Sequence, residues 1–355
     1  MTDAKDDRAT GPRSDEPAST DRRDFLMTAG LAGAAGVAAG KFGLAPVSTA
    51  QAQAQAQWWP SRWGAGDEKG ASNWITPQKV LQAAQLIRDG KIYKIGHTYE
   101  AGMPLFGARN FTLRIPGSPT GGPFGANKLV YNDEYLATEI GQVGTQFDGL
   151  AHIGIQMGPD GDKNGMRFYN GVTMQEMGDA YGMKKNGVEK LNPLFTRGLL
   201  LDVMAVKGGM MDAGQEITMA DVNAALQRQG MSEADIADGD AVFFHTGWSQ
   251  LWMKNNDRYN SGEPGIGMEV ARWLIGKNIC LVGADCWAVE VVPNPDKSVA
   301  FICHAEMQTK HGIFMHENLQ FDGLLADRKY RFVYCFTPNP VKGATGSTGC
   351  PIAIT

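Results

Sequence analysis

The sequence predicts an α/β domain, residues 57–355, that follows an export segment, residues 1–56. Short apolar runs rich in β-branched residues alternate with amphipathic helical patterns, which is typical of α/β domains. Apolar residues make up 43% and charged residues 20% of the chain, as expected for a protein with a sizeable buried core. Residues 57–355 contain no low-complexity linker and no internal repeat, so we expect a single domain.

Five apolar runs predict buried strands. They lie at residues 92–95, 199–206, 241–244, 279–282 and 330–336. Three helices are predicted between them. The first has Thr76 as its cap and Pro77 at its first position and runs to Arg88. The others cover residues 218–229, with Thr218 as the cap, and residues 269–275.

The export segment is predicted from three features. Arg22 and Arg23 precede an apolar stretch at residues 27–40, and an Ala-x-Ala site lies within residues 50–56. This pattern is typical of a cleaved twin-arginine signal peptide, so we expect a periplasmic protein. An amphipathic or membrane-anchoring helix is the alternative, but a stable span needs about 20 strongly apolar residues. We therefore expect no membrane span after cleavage.

Charge and cysteine usage exclude several classes of function. The formal net charge is -5 and the chain has no Lys/Arg run, so a nucleic-acid partner is not expected. The five cysteines are odd in number and form no CxxC pair, and most lie in apolar runs as small hydrophobic residues. No phosphate-binding, dinucleotide or nucleophilic-serine motif is found. A small molecule is the expected partner.

Residues 139–152 hold the densest polar cluster in an apolar context. Its polar side chains stand an even number of positions apart along the chain, at Gln142, Gln146, Asp148 and His152. An extended segment would point all four to one face, which would suit a metal or substrate site. An amphipathic strand with one solvated face is the alternative.

This cluster resembles the signature of the metal-dependent cyclase family, which includes bacterial kynurenine formamidase and isatin hydrolase. The family signature is His-x-Gly-Thr-His-x-Asp-x-Pro-x-His. Gly144, Thr145, Asp148 and His152 match it. Gln142 and Gln146 replace two histidines that are metal ligands in well-known members, and Leu150 replaces the proline.

Further segments extend the resemblance over most of residues 57–355. They are residues 95–104, 246–248, 283–285 and 304–317, and residues 63–77 resemble a branch with a long N-terminus in which Gly-Thr-Gln is common. The resemblance implies a mixed β-sheet or barrel core surrounded by helices, of the swivelling β/β/α type. It also implies a homodimer or homotetramer.

The resemblance also implies a set of site residues. The expected metal ligands are Asp148, His304, Glu317 and Gln146, the expected catalytic residue is His152, and the expected substrate-contacting or supporting residues are Gln142, Thr145, His97 and Trp248. With two histidines replaced by glutamines, we expect one divalent ion, Mn²⁺ or Zn²⁺, rather than two. Carboxylate-rich ligation moves the preference from Zn²⁺ towards harder ions such as Mn²⁺.

Each late ligand has an alternative interpretation. His304 could be a core histidine, Glu317 could be a solvated carboxylate at a helix end, and His311 or His316 could replace His304 as the ligand. Trp248, Trp287 and Phe147 could be core residues or walls of a pocket for a flat substrate.

The expected function is hydrolysis of a small amide, cyclic imide or lactone, in the manner of an arylformamidase. His152 would be the general base towards water and then the acid towards the leaving group. Ring closure or dehydration of a polyketide-like substrate is one alternative. A non-catalytic periplasmic binding protein on the same scaffold is the other.

Overall fold

A nine-stranded mixed sheet forms the centre of residues 57–355, the part of the chain that this computed structural model describes. The sheet curls into a half-barrel with helices around it. The predicted α/β class with a mixed sheet or barrel core is therefore confirmed. The signal peptide predicted in residues 1–56 lies outside the described residues.

The strands of the described residues, in chain order, are β1 (Ile92–Lys94), β2 (Phe111–Arg114), β3 (Gly121–Phe124), β4 (Leu129–Tyr131), β5 (Tyr135–Thr138), β6 (Gln146–Asp148), β7 (Ile155–Gln156), β8 (Met166–Arg167), β9 (Leu194–Asp202), β10 (Glu216–Ile217), β11 (Ala241–His245), β12 (Gly265–Ile266), β13 (Leu281–Ala284), β14 (Phe314–Glu317), β15 (Arg331–Phe336), β16 (Gly346–Thr348) and β17 (Ile352–Ile354).

The α-helices of the described residues are α1 (Pro77–Ala84), α2 (Met174–Met177), α3 (Val203–Lys207), α4 (Met219–Arg228), α5 (Asn256–Asn260), α6 (Met268–Gly276), α7 (Ile302–His304) and α8 (Asp322–Ala326). A π-helical segment, Ala305–Lys310, continues α7. Short 3₁₀ turns cover Gly70–Trp74, Tyr169–Gly171, Val188–Lys190, Glu233–Asp235 and Trp248–Leu251.

The main sheet has the strand order β1-β17-β15-β9-β11-β13-β14-β6-β16. Strands β9, β11, β13 and β14 are parallel, and the strands on either side of them are antiparallel. Every residue of β11, β13 and β14 is buried. Parallel strands covered on both faces are nearly continuous apolar runs, which is why the sequence revealed them so clearly.

The ends of several elements differ from the sequence predictions. The run predicted as a strand at 199–206 stops at Asp202, because the Asp202 carboxylate accepts the N–H of Ala205 and caps α3. Helix α1 stops at Ala84 instead of Arg88. Past it the chain turns so that the N–H groups of Asp89 and Gly90 donate to the carbonyl of Thr355. The strand predicted at 279–282 is β13, Leu281–Ala284, which lies two residues later than predicted.

The other predicted elements are confirmed. Helix α4 begins at a capping box in which Thr218 and Asp221 bond to each other's backbone N–H. Helix α6 covers the predicted helix at 269–275. Strands β1, β11 and β15 lie where apolar runs predict them.

Two antiparallel pairs of strands are formed by the part of the chain between β1 and β6. Strand β2 pairs with β5, and β3 pairs with β4, both antiparallel. We call residues 111–138 the arm. Large apolar side chains of the arm are exposed at Leu113, Ile115, Phe124, Leu129, Val130, Tyr131, Tyr135 and Leu136.

The remaining sequence expectations concern membranes and cysteines. Within residues 57–355, no helix has the length and apolar character needed to cross a bilayer. All five cysteines lie in this range and are unpaired. Cys280, Cys286 and Cys303 are buried, as the apolar runs around them predict, whereas Cys350 is exposed.

Candidate metal centre

The centre forms where β6 lies against β14. In this antiparallel pair Gln146 is opposite Glu317, and Asp148 is opposite Met315. Side chains alternate along a strand, so Gln146, Asp148 and Glu317 share one face. His304, the last residue of α7, adds an imidazole to that face.

Three potential ligand atoms converge there. The His304 Nε2 atom lies 3.1 Å from Glu317 Oε1 and 3.8 Å from Asp148 Oδ2. One ligand atom from each of the three residues lies within 4.8 Å of the others. All three residues are buried. Glu317 is thus a buried strand residue, and its interpretation as a solvated carboxylate at a helix end is wrong.

A second contact orients each of these side chains. The Glu290 carboxylate lies 2.6 Å from His304 Nδ1, so in the neutral ring Nδ1–H donates to Glu290 and Nε2 carries the lone pair that faces the centre. Gln142 Nε2 donates to Asp148 Oδ1 at 2.8 Å, and Gln146 Nε2 donates to Glu317 Oε2. Each carboxylate therefore keeps its other oxygen for the centre. Ligands held this way are typical of protein metal sites.

The electrostatics of the centre also fit a cation. Burial and the nearby charge of Asp148 raise the pKa of Glu317 to about 7. Burial opposes the charged form of His304, but the carboxylates of Glu290 and Glu317 outweigh it and raise the pKa of His304. A cluster that favours protons this strongly carries excess negative charge, which a divalent ion would offset. The residues present fit such an ion.

The two glutamines differ in what they can add. The carbonyl oxygen of Gln142 accepts a hydrogen bond from Arg109 Nη2 at 2.9 Å, so both ends of its amide are engaged. The carbonyl oxygen of Gln146 accepts no hydrogen bond from residues 57–355, so it is available to an ion. Gln142 therefore supports Asp148, whereas Gln146 can be a weak oxygen ligand.

His152 lies at the rim of the centre. Its Nε2 atom is 3.6 Å from Asp148 Oδ2, and its side chain is 22% exposed. Burial lowers the pKa of His152, although Asp148 acts in the opposite direction and His304 and Arg109 act with burial. The imidazole is therefore neutral near pH 7 and able to accept a proton.

A cavity of about 200 Å³ opens onto the centre. Its aromatic walls are Phe106, Trp287 and Phe301, and the Phe106 and Trp287 rings stack with their centroids 4.3 Å apart. Arg109 and His152 also line it. Ligand pockets of about 300–1,000 Å³ hold drug-sized molecules, so this one suits a smaller, flat compound.

The even spacing of the polar cluster predicts one extended segment from Gln142 to His152, and this prediction is wrong. The only strand residues between Gln142 and His152 are Gln146–Asp148. Gln142 and His152 lie in the turns on either side, where His152 N–H donates to the Gly149 carbonyl. All four polar residues nevertheless line the same cavity. The turns, and not one extended strand, bring them together.

Three residues expected to contact the substrate or to support the site lie behind the centre, in supporting positions. Thr145 Oγ1 donates to the Asn318 carbonyl at 2.6 Å and accepts the His97 N–H at 2.8 Å, so it joins three backbone segments. The His97 ring stacks on Trp252 at 4.2 Å. Trp248 is buried, and its Nε1 atom donates to the Tyr259 carbonyl. None of Thr145, His97 and Trp248 lines the described cavity.

The alternative histidine ligands are placed away from the centre. His316 alternates with Glu317 on β14 and faces the other side of the sheet, where its Nδ1 atom lies 2.6 Å from the Tyr334 hydroxyl. Burial lowers the pKa of His316 to about 3. His311 is half exposed, and its nearest carboxylate is Glu306 at 3.9 Å. Of the three late histidines, His304 is the one that faces the centre.

Among the residues of this site that sequence reasoning missed are Phe106, Arg109, Glu290 and Phe301. Glu290 had a detectable signal, because it is a lone acid in the apolar run 286–292. A charged residue in such a run needs a buried partner, and here the partner is His304. The other three lie in loops without a spacing pattern. Trp287 was left open between core and pocket wall, and it lies on the wall.

The fold and this centre define a class of protein: a mixed α/β half-barrel with a cluster of carboxylates and a histidine that could hold a metal ion, near one edge of its sheet. The family model described as "Putative cyclase" matches residues 93–291, more than half of the chain. The protein belongs to this family. The match includes Asp148, His152 and Glu290 and ends before His304 and Glu317.

Solved structures of related fold agree with this. The chain is similar to the crystal structure of a novel cyclase at 28% identity, with a TM-score of 0.70, over 83% of this chain and 98% of that one. It is similar in fold to isatin hydrolase A from Labrenzia aggregata (18% identity, TM-score 0.55, 76% and 94% covered). It is also similar to isatin hydrolase A from Ralstonia solanacearum (19%, 0.54, 78% and 97%). No curated protein matches the sequence.

Proposed function

We propose that this protein is a metal-dependent hydrolase of a small amide, cyclic imide or lactone, with an N-formyl aryl amine as the model substrate. The observation that carries the proposal is the set of three oriented ligand atoms at the floor of an aromatic cavity. Asp148, His304 and Glu317 each have one atom held by a neighbour and one atom turned to the centre. Isatin hydrolases of similar fold support the choice of reaction class.

One divalent ion, Mn²⁺ or Zn²⁺, would be held by Asp148, His304 and Glu317, with the Gln146 amide oxygen as a further ligand. Such an ion lowers the pKa of water and polarises a carbonyl group. The chain offers fewer imidazole ligands than the family signature, so one ion fits better than two. Aromatic walls at Phe106 and Trp287 would hold a flat substrate over this site.

His152 is the residue proposed to move the proton. Its Nε2 atom lies 3.6 Å from Asp148 Oδ2, beside the centre. Its imidazole ring is neutral near pH 7 because burial lowers its pKa, so the ring can take a proton from the attacking water. The new C–O bond forms at the carbonyl carbon. As the C–N or C–O bond to the leaving group breaks, the same Nε2 atom returns the proton to the leaving nitrogen or oxygen.

Replacing His152 with Ala tests this role. Because His152 is proposed to carry protons and not to hold the ion, His152→Ala should lower kcat by about 100- to 10,000-fold and leave the metal content unchanged. The assay is hydrolysis of formanilide, isatin, succinimide and dihydrocoumarin, with metal content measured on the same samples. His311→Ala, at a half-exposed histidine outside the cavity, is the matched control.

Other outcomes separate the competing functions. Unchanged turnover in His152→Ala would contradict its role, and loss of metal would make it a ligand. A metal-loaded wild-type protein that hydrolyses no compound of the panel would favour the cyclase, dehydratase or binding-protein alternatives.

We further propose a periplasmic location, which the Arg22-Arg23 segment supports as a sequence pattern.

A further inference from the structure

Arg109 is a cationic residue on the wall of the cavity. It lies in the loop before β2 and borders both the cavity of the metal centre and a smaller adjoining cavity. Its Cζ atom lies 5.7 Å from the centroid of the Phe106 ring, which supports the guanidinium plane. The side chain is half-buried. Its position is thus fixed beside the space that a substrate would occupy.

Arg109 has no acidic partner. Among residues 57–355, no Asp or Glu oxygen lies within 4.0 Å of its guanidinium, whereas Arg197, Arg258 and Arg331 each pair with a carboxylate. Its one hydrogen-bond acceptor is the Gln142 amide oxygen at 2.9 Å. A guanidinium has five N–H donors in a planar fork that matches a carboxylate. Most of this donor capacity is therefore unused by the protein.

The charges on the cavity wall favour an anion. Asp148 and Glu317 are the acids that line the cavity, and Arg109 is the one permanent cation among the described lining residues. A divalent ion would balance the two carboxylates. Glu290 lies behind His304 and off the cavity wall, so the charge that then faces the cavity is the guanidinium of Arg109, which fits a substrate with an acidic group.

We propose that Arg109 binds a carboxylate on the substrate, so that the enzyme prefers aromatic amides with an acidic group on the ring. This inference rests on the proposed hydrolase function. The Gln142 amide spans the space between Arg109 and Asp148, with hydrogen bonds of 2.9 and 2.8 Å. A substrate carboxylate bound to Arg109 would therefore lie about one amide group from Asp148 and the metal centre. That separation suits a substrate whose carboxylate is next to the scissile group on the same ring.

Turnover of three matched formanilides tests the preference. The compounds are formanilide, 2-formamidobenzoate and 4-formamidobenzoate. Wild-type kcat/KM should be highest for 2-formamidobenzoate, and Arg109→Met should lower that value by about 10- to 100-fold, the usual effect of losing hydrogen bonds to a charged group. The value for formanilide should fall less than the value for 2-formamidobenzoate, so the ratio of the two values reports the contact with the substrate carboxylate. Arg109→Lys should keep part of the preference, because it keeps the charge and loses the fork.

Arg114→Met is the matched control, since Arg114 is exposed on β2 and outside both cavities. It should leave all three values unchanged. An equal loss for formanilide and 2-formamidobenzoate in Arg109→Met would show that Arg109 only supports Gln142. That result would overturn the proposal, as would a wild type without preference for the 2-carboxylate.

A binding measurement separates this inference from the proposed function. Calorimetry on the metal-loaded protein compares 2-aminobenzoate with its neutral analogue 2-aminobenzamide. The wild type should prefer the anion, and Arg109→Met should lose that preference. This outcome, in a protein that hydrolyses no formanilide, would reject the hydrolase and retain the anion site. A preference that persists in Arg109→Met would assign it to the metal alone and overturn the role of Arg109.

Discussion

Glu290 shows how one buried side chain prepares another for a metal ion. It accepts the N–H groups of Cys303 and His304 at 3.1 and 2.9 Å, and it also accepts His304 Nδ1 at 2.6 Å. The carboxylate therefore fixes both the start of α7 and the tautomer of the imidazole. Such supporting residues increase metal affinity because the ligand is already oriented before the ion arrives.

The first prediction at this scale concerns Glu290→Gln. The amide keeps the shape of the side chain but loses the charge that holds Nδ1–H, so metal affinity should fall by about 10- to 100-fold. Competition with a chelating dye measures it. Glu306→Gln is the control, because Glu306 pairs with Lys310 away from the centre. Equal affinity in wild type and Glu290→Gln would contradict this role.

The second prediction concerns pH. The pKa of Glu317 is raised to about 7, and that of His304 is raised above its usual range, so the metal-free site holds protons at neutral pH. Binding of an ion requires both groups without their protons. Affinity should therefore rise between about pH 6 and pH 8, by about tenfold per pH unit for each proton released.

Calorimetry in two buffers of different ionisation enthalpy counts those protons. The expected result is a metal-binding enthalpy that depends on the buffer, with protons released to it. Binding that is independent of both buffer and pH would mean that the ion does not use Glu317 and His304.

Much of the site can be predicted from the sequence, because the resemblance to the family extends to the segments that contain the site residues. The sequence predicts Asp148, His152, His304 and Glu317 as site residues, and the structure brings all of them to one cavity. The motif leaves open whether Thr145, His97 and Trp248 contact the substrate or support the site, and the structure places them behind the cavity. A sequence motif does not distinguish a residue that touches a ligand from one that holds the backbone around it.

At the scale of elements, the pairing of β6 with β14 creates the centre. Both strands are short, four residues or fewer, and each is wholly buried. Gly141 and Gly149 flank this region, and a Cβ at either would meet backbone atoms at 2.6–2.7 Å. The turns that bring Gln142 and His152 to the cavity therefore need glycine at these positions. Even spacing suggested a longer strand, because spacing alone carries no information on turns.

The arm, residues 111–138, is the element with the most exposed apolar surface in the described part of the chain. Its two strand pairs expose Leu113 at 56% and Leu129 at 51%. A two-stranded pair alone is marginally stable in water, and large exposed apolar patches mark interaction sites. Arg114, Lys128, Asp133 and Glu134 are also exposed on the arm, so it carries both signs of charge. We propose a second copy of this chain as the partner of this surface.

For the whole molecule, we therefore predict self-association through the arm. Wild-type protein should be a dimer or tetramer by light scattering. The double change Leu113→Glu and Leu129→Glu should produce monomers, because four or more negative charges would meet across a symmetric contact between copies. Leu81→Glu is the matched control, since Leu81 is 67% exposed on α1 and outside the arm. A monomeric wild type, or a double variant that still associates, would contradict the prediction.

The fold class was predictable from sequence for a physical reason. Buried parallel strands require continuous apolar runs, and β11 and β13 supply them between helices with clear caps. The cavity wall was less predictable. Phe106, Arg109 and Phe301 come from separate loops, and only tertiary folding brings them to one space. Substrate preference is therefore a property of the whole molecule and not of the signature.

We propose that Asp148, His304 and Glu317 together hold one divalent ion. Metal quantification on protein purified without chelators tests it most directly, with His304→Ala treated identically as the background. We expect one equivalent of Mn²⁺ or Zn²⁺ per wild-type chain and a large loss in the variant. Two equivalents per chain, or none, would contradict it.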